Sequence, residues 1–60
     1  MNDKQLDAAA KHLHMEGSFA SAIADAYFVA DGTNRRILTD AFGFLFERAY
    51  AKWVQEGETT

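Results

Sequence analysis

Apolar residues recur along this 60-residue chain with the three-to-four-residue spacing of amphipathic helices. The first such stretch predicts a helix over 3–15, with Asp3 as its cap and Gly17 as the residue that ends it. Its apolar side is narrow and rich in alanine, so we expect this helix to pack against the others rather than to supply the core. That side consists of Leu6, Ala9, Ala10 and Leu13.

A second helix is predicted over 18–30, with Ser18 as its N-cap. Phe19, Ile23 and Tyr27 follow a four-residue spacing on one of its sides, and alanines occupy much of the remainder. We therefore expect this helix to be the central and most buried one. The residues 31–34 that follow have the composition of a turn, in which a glycine, Gly32, can adopt a positive φ.

The third helical segment is predicted over 34–55 and is interrupted by Gly43. Glycine inside a helix costs about 1 kcal/mol relative to alanine, so two interpretations stay open. Either one helix continues through Gly43 with a bend, or a short helix gives way there to a second one. Apolar residues keep helical spacing across the glycine, from Leu38 to Trp53. The pattern predicts an all-α bundle of three helices, the third bent or split at Gly43, in a single domain of residues 1–60 with a frayed tail at 57–60.

Aromatic side chains are concentrated in this last segment, and they cover more than the one side that an isolated helix can bury. A domain of 60 residues buries only about 60% of the surface of its unfolded chain, and small domains often gain stability by associating. We therefore predict that the bundle is completed by homodimerisation. The candidate interface consists of Phe42, Phe44, Phe46, Tyr50 and Trp53.

The composition excludes several classes of protein. Cysteine is absent, which excludes disulfides and thiolate metal sites, and no apolar run approaches the length of about 20 residues that spans a bilayer. The first residues lack the basic and then apolar pattern of a signal peptide, so we expect a cytoplasmic protein. The net charge of −3 disfavours nucleic acid, which is bound mainly through Lys and Arg.

Asp25 is the acidic residue that we expect to be partly buried, because it lies in the alanine-rich second helix. A buried carboxylate must be paired or protonated, and Arg48 is its predicted partner, with Lys52 as an alternative. The other interpretation, a catalytic carboxylate, lacks a second acid, a nucleophile or a phosphate-binding loop. The sequence therefore predicts neither an enzyme nor a cofactor.

His12 and Glu16 are four residues apart and could contact one metal ion from the same side of a helix. Zinc sites need three or four ligands, and the second histidine, His14, is two residues from His12 and so points elsewhere. The competing interpretation is a pair of surface histidines near a helix C-terminus, where positive charge is favoured. We predict no metal site.

Arg35 and Arg36 follow a turn between two predicted helices, as residues of a DNA-recognition helix do. A small DNA-binding regulator of the helix-turn-helix type is therefore the alternative function. The turn over 31–34 does not have the expected compact form, and the chain is acidic. The competing interpretation is two solvated arginines that pair with carboxylates.

The chain resembles small proteins encoded by tailed bacteriophages and prophages. The resemblance is carried by the stretch 17–27, by Ala30-Asp31 and Asn34-Arg35, and by Ala41-Phe42 with 45–50. It implies an accessory role and no specific activity. Several of the proteins that the chain resembles have a proline where this chain has Gly43, and because proline suits the first turn of a new helix, the resemblance favours a break there. The main prediction is thus an accessory protein that acts by binding a host or phage protein.

Overall fold

The computed structural model describes residues 1–57, and within them the fold is all-α, as predicted, with no strand. Four helices follow one another along the chain. They are α1 (Asp3–Leu13), α2 (Ser18–Val29), α3 (Gly32–Ala41) and α4 (Gly43–Gly57). The predicted frayed tail at 57–60 is only partly covered: Gly57 is the last residue of α4, and 58–60 lie outside the described residues.

The count of three helices is wrong, because the third segment is split into α3 and α4. Phe42 leaves the helical conformation with φ −116° and ψ 27°, although its N–H still donates to the carbonyl of Leu38. The carbonyl of Phe42 then accepts from the backbone N–H groups of Leu45 and Phe46, in the first turn of α4. Of the two interpretations of Gly43, the second is correct: the helix breaks and a new one begins at this residue. The weak helix propensity of glycine explains why the break occurs at this position.

The ends of the helices differ from the predicted ones because neighbouring polar side chains cap them. Asn2, and not Asp3, caps α1 in a reciprocal pair of hydrogen bonds with Gln5. Asp31 caps α3 by accepting from the backbone N–H of Asn34, so this helix begins two residues early, at Gly32. Gly32 is consequently helical and does not have the positive φ expected of it.

Gly17 has the positive φ instead, at 114° with ψ 176°, a backbone region open essentially to glycine alone. It is the residue before α2, so Ser18 is the first residue of that helix and not its cap. α1 ends at Leu13, and the predicted extension to residue 15 is a turn in which the N–H of Met15 bonds to the carbonyl of His12. The chain thus reverses direction between α1 and α2 over residues 14–17.

The contact between α1 and α4 is the most extensive one in the described part of the fold. The expectation that α1 packs against the other helices without supplying the core is wrong, because three of its side chains are fully buried. α2, which was expected to be the central helix, supplies the largest share of the buried apolar residues. The buried residues are Ala9, Ala10 and Leu13 of α1, Ala20, Ile23, Ala24 and Tyr27 of α2, and Leu45, Phe46 and Ala49 of α4.

The accessible surface of 4025 Å² is close to the roughly 3900 Å² expected of a compact monomer of this mass. The case for a second copy therefore depends on which side chains remain exposed. None of the helices in residues 1–57 is both long and apolar enough to cross a membrane.

Candidate functional site

His12 is buried where α1 meets α4, with 8% of its surface exposed. Its Nδ1 lies 2.7 Å from a carboxylate oxygen of Glu16, and its Nε2 lies 3.1 Å from one of Glu56. Arg48 and Lys52 lie 3.8 and 3.7 Å from the second oxygen of Glu16. These five side chains, which we call the His12 cluster, connect the end of α1 to the second half of α4.

The geometry of the His12 cluster favours the doubly protonated imidazolium. An ionised carboxylate can only accept hydrogen bonds, so each ring nitrogen that faces one must carry a proton to donate. Burial by itself lowers the pKa of His12, but the hydrogen bonds and negative charges of Glu16 and Glu56 outweigh it and raise the pKa above the ordinary 6.5. The cluster is then a chain of alternating charges between two helices.

The same geometry does not suit a metal ion. Glu16 and Glu56 face different nitrogens of the His12 ring, so the three groups do not converge on one point. In the part of the chain that the structure describes, no group of three or more His, Asp and Glu side chains is placed to hold a metal. The side chain of His14 lies elsewhere, 2.9 Å from Asp25.

A second polar cluster surrounds Tyr27, which is fully buried between three helices. Its hydroxyl donates to Asp7 of α1 at 2.7 Å, and the guanidinium of Arg35 from α3 lies 4.5 Å from its ring centre. Burial first and the hydrogen bond to Asp7 second raise the pKa of Tyr27 to about 12, against the opposing charge of Arg35. Tyr27 is therefore a neutral donor that holds α1 and α3 against α2.

The predicted buried ion pair between Asp25 and Arg48 is wrong. Asp25 lies on the outer side of α2 with 66% of its side chain exposed, and its partner is His14. Arg48 is directed to Glu16 instead. The buried carboxylate is Glu16, whose side chain is 11% exposed, and its position in the turn after α1 lets it contact both α1 and α4.

The two arginines of the DNA-binding alternative lie in different environments. Arg35 is half-buried, because its guanidinium stacks on Tyr27 and its Nε donates to the carbonyl of the same residue at 3.3 Å. Arg36 is exposed. Only one of the two is thus free to contact a phosphate or a base edge without loss of a contact in the fold.

The five aromatic residues of the predicted interface separate into four environments. Phe46 is fully buried and contacts the Tyr27 ring, so it belongs to the core and not to an exposed interface. Phe44 is 65% exposed. Tyr50 and Trp53 are half-buried and pack against each other, with their ring centres 5.7 Å apart. At 100° per residue, Trp53 lies on the opposite side of α4 from Phe44.

Phe42 lies apart from the other four, at the junction of α3 and α4. Its ring packs edge-on against Phe19 of α2, with 6.0 Å between ring centres. Phe19 is itself 62% exposed, although its spacing predicts a buried position. The two rings therefore lie at the edge of the core, next to solvent.

Phe19 begins an exposed apolar strip along α2 that the sequence analysis missed. Phe19, Ala22, Ala26 and Val29 follow the spacing i, i+3, i+7 and i+10, which places them on one side of the helix. Val29 is 85% exposed and Ala22 is exposed. We call these four residues, together with Phe42, the α2 surface. The signal that could have revealed it is a helical strip without a charged residue, separate from the strip that faces the core.

The helices, the two polar clusters and the α2 surface define a small four-helix protein whose described polar side chains serve mainly to join helices. Comparisons with protein-family models, with curated proteins and with solved structures find no match to this chain.

Proposed function

We propose that this protein is an interaction module without catalytic activity, and that two copies associate through the α2 surface. The observation that carries the proposal is the exposure of large apolar side chains on a compact fold. Those with more than two-fifths of their surface exposed are Met1, Met15, Phe19, Phe28, Val29, Ile37 and Phe44. Single exposed apolar residues are common, but a continuous uncharged strip on a helix is typical of an interface.

The α2 surface has the shape that a second helix requires. Its ends are the large residues Phe19 and Val29, and its middle is made of Ala22 and Ala26, which let another helix approach closely. A standard interface covers about 800 Å² of each partner, roughly a fifth of the 4025 Å² of this chain. The α2 surface can supply the apolar centre of such an interface, and Phe42 extends it.

The polar clusters support a binding role over a catalytic one. The imidazole of His12 has both nitrogens occupied by carboxylates, and the hydroxyl of Tyr27 is buried and bonded to Asp7. A general base must reach a substrate proton, and neither group can do so without losing its structural partner. The stacking of Arg35 on Tyr27 likewise disfavours the DNA-binding alternative.

The biological setting of the proposal is that of an accessory protein in the cytoplasm of a bacterial host cell, which binds a host or phage protein. The resemblance of separate short stretches between residues 17 and 50 to small phage and prophage proteins supports this setting, and the net charge of −3 is compatible with a protein partner. An electrophoretic shift assay tests the alternative, because retardation of duplex DNA at low salt would favour the DNA-binding function instead.

Light scattering coupled to size-exclusion chromatography tests the dimer. We expect twice the 6.7 kDa mass of one chain at micromolar concentration. Ala22→Glu places a charge in the middle of the α2 surface at an exposed position, and it should give a monomer with unchanged helix content. Phe44→Ser removes an aromatic side chain outside that surface, one that is about as exposed as Phe19 within it. It serves as the matched control. A wild-type monomer would refute the dimer, and dissociation by Phe44→Ser alone would refute the choice of surface.

A further inference from the structure

The first half of α1 and the second half of α4 enclose a shallow groove of about 570 Å³ on a side of α4 away from Phe44. Its aromatic wall consists of Tyr50 and Trp53, whose rings are tilted by 31° to each other. The opposite wall is low, because Ala8 has a small side chain. The full lining is Asn2, Lys4, Gln5, Asp7, Ala8, Lys11, Tyr50 and Trp53.

The groove is bordered by unpaired positive charge. Lys4 and Lys11 are exposed on the same side of α1 and form no ion pair with any residue from 1 to 57, in contrast to Arg48 and Lys52, which lie close to Glu16. Asp7, the one carboxylate among the described residues of the lining, already accepts a hydrogen bond from the Tyr27 hydroxyl. A protein with net charge −3 thus has a local excess of positive charge at an aromatic recess.

The indole of Trp53 is also without a polar partner. Its N–H donates to no group in the described part of the chain, although Tyr50 beside it accepts a hydrogen bond from Gln5. A half-exposed indole with a free donor, next to two free ammonium groups, is complementary to a ligand that combines an apolar group with anions.

We propose that this groove binds an acidic peptide segment of a protein partner, with an aromatic side chain against Tyr50 and Trp53 and carboxylates at Lys4 and Lys11. The two lysines are seven residues apart, or about 10 Å along α1. Carboxylates three residues apart on a peptide in the polyproline II conformation lie on the same side of it and about 9 Å apart, close to the separation of the two lysines. Single-stranded nucleic acid also combines anions with rings, but the acidic chain as a whole repels it.

The proposal names a partner class for the interaction module and does not require the dimer, because the groove shares no residue with the α2 surface. Trp53 is the only tryptophan of the chain, so its fluorescence reports on the groove directly. The probe is the capped peptide Gly-Glu-Phe-Ser-Glu-Gly. The comparison peptides replace both glutamates by lysine, or the phenylalanine by alanine.

We expect a saturable change in Trp53 emission with a Kd in the millimolar range, as for other short peptides with few contacts. The double variant Lys4→Gln/Lys11→Gln should weaken binding by about threefold to tenfold, the effect of losing two exposed ion pairs, and added salt should act in the same direction. Arg36→Gln, which removes an exposed charge remote from the groove, is the matched control and should leave binding unchanged.

Equal binding of the lysine peptide, equal binding by the double lysine variant, or tighter binding of oligothymidylate would each overturn the proposal. The absence of any saturable change would do the same. The monomeric Ala22→Glu variant should bind the peptide as the wild type does. A lack of dimerisation would be seen by light scattering, and a lack of peptide binding would be seen by fluorescence. The two results can therefore be distinguished.

Discussion

Deprotonation of His12 should weaken the fold as the pH rises from about 6.5 through the raised pKa of His12 in the folded protein. Because Glu16 and Glu56 raise the pKa of His12 in the folded protein, the folded state keeps a proton that the unfolded chain has lost. This stabilisation is complete below the unfolded-state pKa of about 6.5 and disappears as the pH passes through the folded-state pKa. Stability should therefore fall with pH across that interval.

The unfolding free energy can fall by at most about 1.4 kcal/mol per pH unit, because only one proton is involved. The two carboxylates should contribute unequally. Glu16 is 11% exposed and 2.7 Å from the ring, whereas Glu56 is 68% exposed and 3.1 Å away. Solvent screens the exposed pair more strongly, so Glu16→Gln should remove more of the pH dependence than Glu56→Gln.

Urea unfolding followed by circular dichroism at a series of pH values measures this effect. His12→Gln should abolish the fall in stability between the two pKa values. His14→Gln is the matched control, because the pair of His14 and Asp25 is more than half exposed on both sides and should change the slope little. If the wild type and His12→Gln show parallel curves, or if the wild type gains stability across this interval, the assignment of an imidazolium to the His12 cluster is wrong.

Four further substitutions test the fold. Phe46→Ala removes a fully buried ring and should cost about 3–5 kcal/mol in urea unfolding, enough to unfold much of a chain this small. Tyr27→Phe leaves Asp7 without its donor and should cost about 1–2 kcal/mol, with an unchanged helical spectrum. Gly17→Ala should cost about 1–3 kcal/mol in urea unfolding because Gly17 has a positive φ. Gly32→Ala is at a helical and open position, so it should be neutral or stabilising in the same measurement.

The sequence predicts the all-α class because helical spacing is a local property, readable from each segment by itself. It fails at the helix ends, where capping by Asn2 and Asp31 competes with other plausible caps one or two residues away. It also leaves the break at Gly43 undecided, because the apolar spacing continues through it and only the packing of α4 on α1 selects the split.

The partners of charged residues could not be predicted, because they depend on how the helices pack. Asp25 lies in α2 as expected but on the outer side of that helix, a position that the alanine content alone does not reveal. Once α1 and α4 form the main contact, Glu16 is the carboxylate between them, and Arg48 is directed to it. For the same reason, spacing alone identified the aromatic residues of the last segment but could not separate buried Phe46 from exposed Phe44.

The close pairing of α1 with α4 has a consequence for how the protein forms during synthesis. The hydrogen bond from Gln5 to Tyr50 and the contact of His12 with Glu56 join residues 45 and 44 positions apart. Until α4 leaves the ribosome, Leu13 and the alanines of α1 lack the helix with which α1 makes its most extensive contact. The fold can therefore be completed only once α4 has been released, and any earlier intermediate exposes apolar surface to chaperones and proteases.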